Sequence, residues 1–160
     1  MIGGLVQAKV NKYDPISNNY TGWAIVGKPW YENLLTNNGR DTMHQLCYIS
    51  TAASIRGFGV IALSANSGSP AAGDTLLTTE LSVNGMARAE AGTKTHTNGT
   101  NQSVVEHTFT ANANFTDVRL SGLFDTTTTD TTTLSHEASF ASVTLATSDL
   151  LKITWTLNLG

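Results

Sequence analysis

From Leu151 to Asn158 apolar and polar residues alternate without a break. Leu151, Ile153, Trp155 and Leu157 take one parity; Lys152, Thr154, Thr156 and Asn158 take the other. Successive side chains of a strand point to opposite faces, so this pattern predicts a strand with one buried face. Three more segments read the same way: "SVVEHTFTA" (103–111), "DVRLSGLF" (117–124) and "LSHEASFASVTL" (134–145). Four strands at such short spacing favour a β-sandwich or barrel. Alternation assigns Val105, Phe109, Val118, Leu120, Phe124, Phe140, Leu151, Ile153, Trp155 and Leu157 to the core.

Composition agrees. The chain holds 25 threonines among 160 residues, and Thr favours strands because its branched Cβ fits a pleated surface. Only 13% of residues are charged, with net charge −3. A surface of hydroxyls rather than ions suits lasting contact with other subunits, since hydroxyls cost less to desolvate. The acidic balance and the lack of basic clusters argue against nucleic acid. No run reaches the ~18 apolar residues of a membrane helix. Cys47 is the single cysteine, so no disulfide forms within the chain. The opening "MIGGLVQAKV" lacks a leader pattern and reads as a cytoplasmic start.

Residues 1–28 are rich in Gly, Asn and Tyr, with turn chemistry at Asp14-Pro15 and Asn18-Asn19. They are expected to form an extended arm ahead of a single β-sandwich domain, 29–160. "KPWYENLLTNNGR" predicts a short helix at about 29–38, entered at Pro29 and closed by Asn38 and Gly39. "DTMHQLCYISTAAS" reads either as a second helix capped by Asp41 or as a strand from Leu46 to Ile49. Strands begin at about residue 56, the first being "FGVIALS". "ANSGSPAAGD" is a loop, "TLLTTELSV" a strand or short helix, Asn84-Gly85 a turn, and "GTKTHTNGTNQ" a polar loop. "DTTTTDTTT" (125–133) is a loop or edge hairpin. The expected fold is mainly β: an antiparallel β-sandwich, jelly-roll-like or immunoglobulin-like, with one or two short N-terminal helices and an extended N-terminal arm.

Chemistry-bearing motifs are sparse. His44, His96, His107 and His136 show no metal-ligand spacing. His107 and His136 fall in phase with apolar neighbours and are expected on an apolar face. Glu106 and Glu137 fall on the opposite, outward face as solvated charges. Asp74, Asp125 and Asp130 lie in loops without Ca²⁺-loop spacing, and "GFG" (57–59) is too short for a phosphate loop. N-x-[ST] occurs at Asn19, Asn98, Asn101 and Asn114, as chance provides in a chain so rich in Asn and Thr. No catalytic residue, metal ligand or cofactor is expected. Tyr13, Tyr20, Trp23, Trp30 and Tyr31 crowd into the first 31 residues. Aromatics carry much of the energy of subunit contacts, so these five are expected to bind a partner subunit; a carbohydrate platform is the other use of such rings.

The later part of the chain resembles a group of small tailed-bacteriophage virion proteins. The resemblance rests on "GDTLLTTEL" at 73–81, Arg88, "HTFTA" at 107–111, "SGLFD" at 121–125, "SHEASFASVTL" at 135–145 and "SDLLKITWTLNL" at 148–159, in that order. Where the group often has an acidic residue before "GLF", this chain reads "VRLSGLF". The first 28 residues and "DTTTTDTTT" have no counterpart. The resemblance implies a non-enzymatic structural protein, made in the host cytoplasm and located in the virion. Its first reading is a capsid decoration (cement) protein that binds the major capsid protein or other virion subunits as a homo-oligomer. A tail or fibre-anchoring protein is the alternative, and a carbohydrate-binding host-attachment module the second.

Overall fold

A computed structural model describes residues 3–48, 57–129 and 132–158. The chain is mainly β, in two antiparallel sheets. In chain order the strands are β1 (Gly3–Asp14), β2 (Asn19–Ile25), β3 (Tyr31–Glu32), β4 (Leu34–Leu35), β5 (Val60–Ser64), β6 (Ala89–Glu90), β7 (Thr93–His96), β8 (Gln102–Thr110), β9 (Phe115–Phe124), β10 (His136–Leu145) and β11 (Leu150–Asn158). One helix, α1 (Asn37–Tyr48), follows β4. The first sheet runs β2-β1-β11-β8-β7, with β3 also on β1; the second runs β4-β10-β9-β5-β6.

One apolar core joins the sheets. The first sheet contributes Val6, Ala8, Phe109, Leu151, Ile153 and Trp155; the second contributes Ile61, Leu63, Val118, Leu123, Phe140 and Leu145. Trp155 lies at the centre, and its indole Nε1 donates to the buried Ser121 hydroxyl of the opposite sheet at 3.2 Å. The alternation of β8, β10 and β11 is therefore real. Of the residues assigned to the core, all are buried except Leu157, which is half-buried at its margin.

Phe124 is buried on the other face. In β5 and β9 both faces are covered: Ile61 and Leu63 enter the main core, while Val60, Ala62 and Phe124 form a second cluster with Leu77 and Leu134. The connection 65–88 covers that outer face. It closes on Gly122, where a Cβ would meet Leu77 Cδ1 at 3.2 Å, as well as Leu134 Cδ1 at 2.7 Å. "TLLTTELSV" is accordingly neither strand nor helix beyond a single bridge, Ser64–Glu80. Asn84 and Gly85 both have positive φ, 54° and 82°, the turn their sequence signals. Part of the expected polar loop 92–102 is instead β7, hairpinned onto β8.

Two further expectations are overturned. The first 28 residues are not an extended arm, because β1 sits between β2 and β11 and pairs with β11 from Gly3↔Asn158 to Asn11↔Leu150. Val6 and Ala8 are fully buried in the main core. These residues belong to the domain, and the division at 28/29 has no structural counterpart.

The helix is also displaced. Residues 31–35 cross from one sheet to the other as β3 and β4, and α1 begins where the helix at 29–38 was expected to stop. Thr36 is the reason: its Oγ1 accepts from Gly39 N at 3.1 Å, and its carbonyl accepts the first helical bond from Arg40. "NNG" thus opens the helix behind a Thr N-cap instead of closing one. Met43, Leu46 and Cys47 lie in α1, so the segment is helical, but Asp41 sits inside this helix and does not cap a second one.

Candidate contact surface

β1 and β2 form a hairpin whose register shifts between Asn11 and Tyr13. Gly22, at φ 103°, takes up the irregularity, and its N–H donates to Asn11 Oδ1 at 2.9 Å. Asp14 closes the tip by accepting from Ile16 N and Ser17 Oγ, and these bonds hold its carboxyl below the usual range. Ile16 at the tip is 96% exposed. An apolar side chain between two turn signals has no core to reach, and that was the available sequence signal for it.

The structure brings four of the five aromatics to the surface of this hairpin and its exit. Tyr13 and Tyr20 meet edge to face at 5.5 Å, with the Tyr13 hydroxyl hydrogen-bonded to Asn18. Tyr20, Trp23, Ile25 and Trp30 are each 39–47% exposed. Lys152 Nζ stands 5.0 Å from the Trp23 ring centroid, so that ring lies on the outer face of the first sheet. Tyr31 is set apart. It is half-buried against the main core, and its hydroxyl accepts from Lys28 N and Ala141 N and donates to Val26 O. It ties β3 to β10 and is not a surface contact.

The titratable groups mostly hold the fold together. Asp149 accepts from Tyr13 N, Ala146 N and Lys12 Nζ at 2.6–2.9 Å. Burial pushes its carboxyl up, but these donors outweigh it and leave it below the usual range. Glu80 and Arg88 make a two-point ion pair at 2.6 and 2.8 Å. The Arg88 guanidinium also stacks 3.5 Å from the Phe124 ring centroid and donates to Thr128 O. Thr128 is thereby clasped by its backbone carbonyl.

Glu106 keeps its outward place beside Lys152 at 3.3 Å. Glu137 does not. It points outward from β10 but lies under the 65–88 connection, 4% exposed. Burial, and then the hydrogen-bonded Asp74 carboxylate, push it up to about 8. His136 is buried edge-on against Trp155, and burial lowers it to about 4. His107 packs on Phe109 at 4.6 Å and is lowered by burial, partly offset by the hydrogen bond its ring N–H donates to the backbone carbonyl of Glu90.

Among the described residues no three His, Cys, Asp or Glu side chains gather as a metal site. No helix there is long and apolar enough to cross a membrane. An open cleft of about 350 Å³ lies between "GFG" and Asp125, its Lys94 paired with Glu90. Asp130 and Ile49 lie outside the described residues. Set against protein-family models, curated proteins and solved structures, the chain finds no match in any of the three.

Proposed function

We propose that this chain is a non-enzymatic structural subunit of a tailed-bacteriophage particle, and in first place a capsid decoration protein. In this reading the two sheets form a β-sandwich of the jelly-roll or immunoglobulin type. The body binds the major capsid protein and copies of itself, and symmetry multiplies each modest contact. The observation that carries the reading is the hairpin, which presents Ile16, Tyr20, Trp23 and Ile25 to solvent from a strand rooted in the core. Rigid aromatic anchors lose little entropy on contact and suit a permanent interface. The ordered motifs of residues 73–159 support the virion class. Four of their charged members, Asp74, Glu80, Arg88 and Asp149, act here as clasps between loops and sheets.

A tail or fibre-anchoring subunit would use the same hairpin. Exposed Trp23 and Trp30 also favour a second reading, a carbohydrate platform on the host surface. Quantitative mass spectrometry of purified particles separates these. A decoration protein is present on the order of hundreds of copies, a tail part at a few dozen or fewer. Absence from particles together with glycan binding by the isolated protein would replace the structural reading with the carbohydrate one.

A further inference from the structure

Among the described residues the sheet edges are formed by β2 with the two-residue β3 beside it, β7, β4 and β6, and of these only β2 invites an added strand. β4 and β6 are two residues long, and β7 is four residues carrying Lys94 and His96. Short edges and edge charges discourage pairing. β2, "NYTGWAI", is seven residues, carries no charge and is exposed throughout. Val26 N donates to Ala8 O, so by the alternation of an antiparallel ladder Ala24 and Val26 bond to β1. The N–H and C=O groups of Trp23 and Ile25 then face away from the sheet, along its free edge.

The charges beside this edge say what kind of strand fits. Lys9 is the register partner of Ile25, Lys28 follows β2, and Lys152 stands against Trp23. Lys152 has Glu106 nearby, whereas Lys9 and Lys28 have no carboxylate partner among the described residues. Asp14 and Glu32 lie at the two extremes, Asp14 at the hairpin tip as the register partner of Asn19 and Glu32 on β3. Two copies paired through β2 would bring this cationic stripe against itself. An acidic strand would meet it with opposite charge.

We propose that the β2 edge receives an extended, carboxylate-bearing segment of another protein as an added strand, bonded to the main chain of Trp23 and Ile25 and to Lys9 and Lys28. This rests on the reading of the hairpin as a subunit contact, and names the chemistry of its partner. Main-chain bonds supply attachment and the lysines select acidic flanks.

The test uses the full chain and three capped peptides: alternating Val and Thr flanked by Glu, the same flanked by Lys, and the Glu form N-methylated at alternate residues. Binding is read from amide shifts in nuclear magnetic resonance spectra. The Glu peptide is expected to bind with shifts centred on residues 19–28, about tenfold more tightly than either control. K9E/K28E should reverse the preference toward the Lys peptide. Ile25→Pro removes an outward-facing N–H and should abolish binding with the fold intact by circular dichroism. Equal binding of the N-methylated peptide, or shifts elsewhere, would overturn the proposal. So would concentration-dependent dimers of the chain that Ile25→Pro abolishes, which would make a second copy the occupant. Particles carrying Ile25→Pro at full copy number would remove the edge mechanism and leave the structural-subunit reading standing. Absence of the unmodified chain from particles would remove that reading itself.

Discussion

Trp155 joins the two sheets twice over, by filling the space between them and by donating to Ser121. Trp155→Ala should cost about 3–5 kcal/mol in urea unfolding, from lost burial and the cavity left behind. Trp155→Phe keeps most of the volume but leaves a buried hydroxyl unpaired, and should cost about 1–3 kcal/mol. An unchanged urea midpoint for the Ala variant would remove Trp155 from the core.

Glu137 gives a pH signature of definite sign. Its folded-state value of about 8 stands above its ordinary 4.5, so the folded chain holds a proton there that the unfolded chain releases. Stability from this group is complete below about pH 4.5 and is lost as pH rises toward 8. His136 works the other way. Its value of about 4 against an ordinary 6.5 makes stability fall as pH drops through that window. His107 acts in the same direction. Among the described groups with a resolved shift, Glu137 is the one whose window extends well above pH 6.5. Glu137→Gln, whose amide donates to Asp74 at any pH, should be more stable than the unmodified chain at pH 8 by roughly 1–3 kcal/mol. The difference should vanish near pH 4. Thermal melts from pH 4 to 8 that stay parallel would show that Glu137 is ionised in the folded chain.

At the scale of elements, legibility depended on whether a segment's partner left a local trace. β8, β10 and β11 were readable because large apolar residues at period 2 mark a buried face. β5 and β9 were readable as strands, but Phe124 went to the wrong face. A strand covered on both sides loses the polar parity that would orient it. β1 does carry a period-2 signal in Val6, Ala8 and Val10. It is small, it runs into Gly, Asn and Tyr, and the strand it pairs with lies at the other end of the sequence. The displaced helix has a chemical cause, since Thr36 can cap a helix only from outside its first turn. Of the contact surface, Tyr20, Trp23 and Trp30 were legible as exposed aromatics. Tyr31 was not, because its three hydrogen-bond partners come from β10 and a neighbouring turn.

The position of β1 changes what truncation does. Removing residues 1–24 takes away the strand between β2 and β11 and exposes Ile153 and Trp155 at an open seam. The truncated chain should be insoluble or lack a cooperative melt, and the hairpin of the intact monomer should resist protease up to its tip. A soluble truncated chain with the unmodified melting temperature would show that β1 is dispensable. The 125–133 loop behaves differently. Gly-Ser in place of its threonines should change stability by no more than about ±0.5 kcal/mol, provided the carbonyl at 128 still reaches Arg88.

For the whole molecule, the pairing of residues 3–11 with residues 150–158 sets an order of events. Non-local strand pairing of this kind folds in milliseconds to seconds once the whole chain is available. On a ribosome it is not available for far longer. At about 5–20 residues per second, β11 emerges roughly 7–30 s after β1. During that wait β1 and β2 are a lone hairpin, of marginal stability in water. Val6 and Ala8 lack the sheet that will bury them, and Trp23 and Ile25 are already exposed. β1, an inner strand of the finished sheet, is thus among the first made and among the last to be enclosed. The nascent chain therefore passes most of its synthesis with its most adhesive segment open to neighbours on the same message.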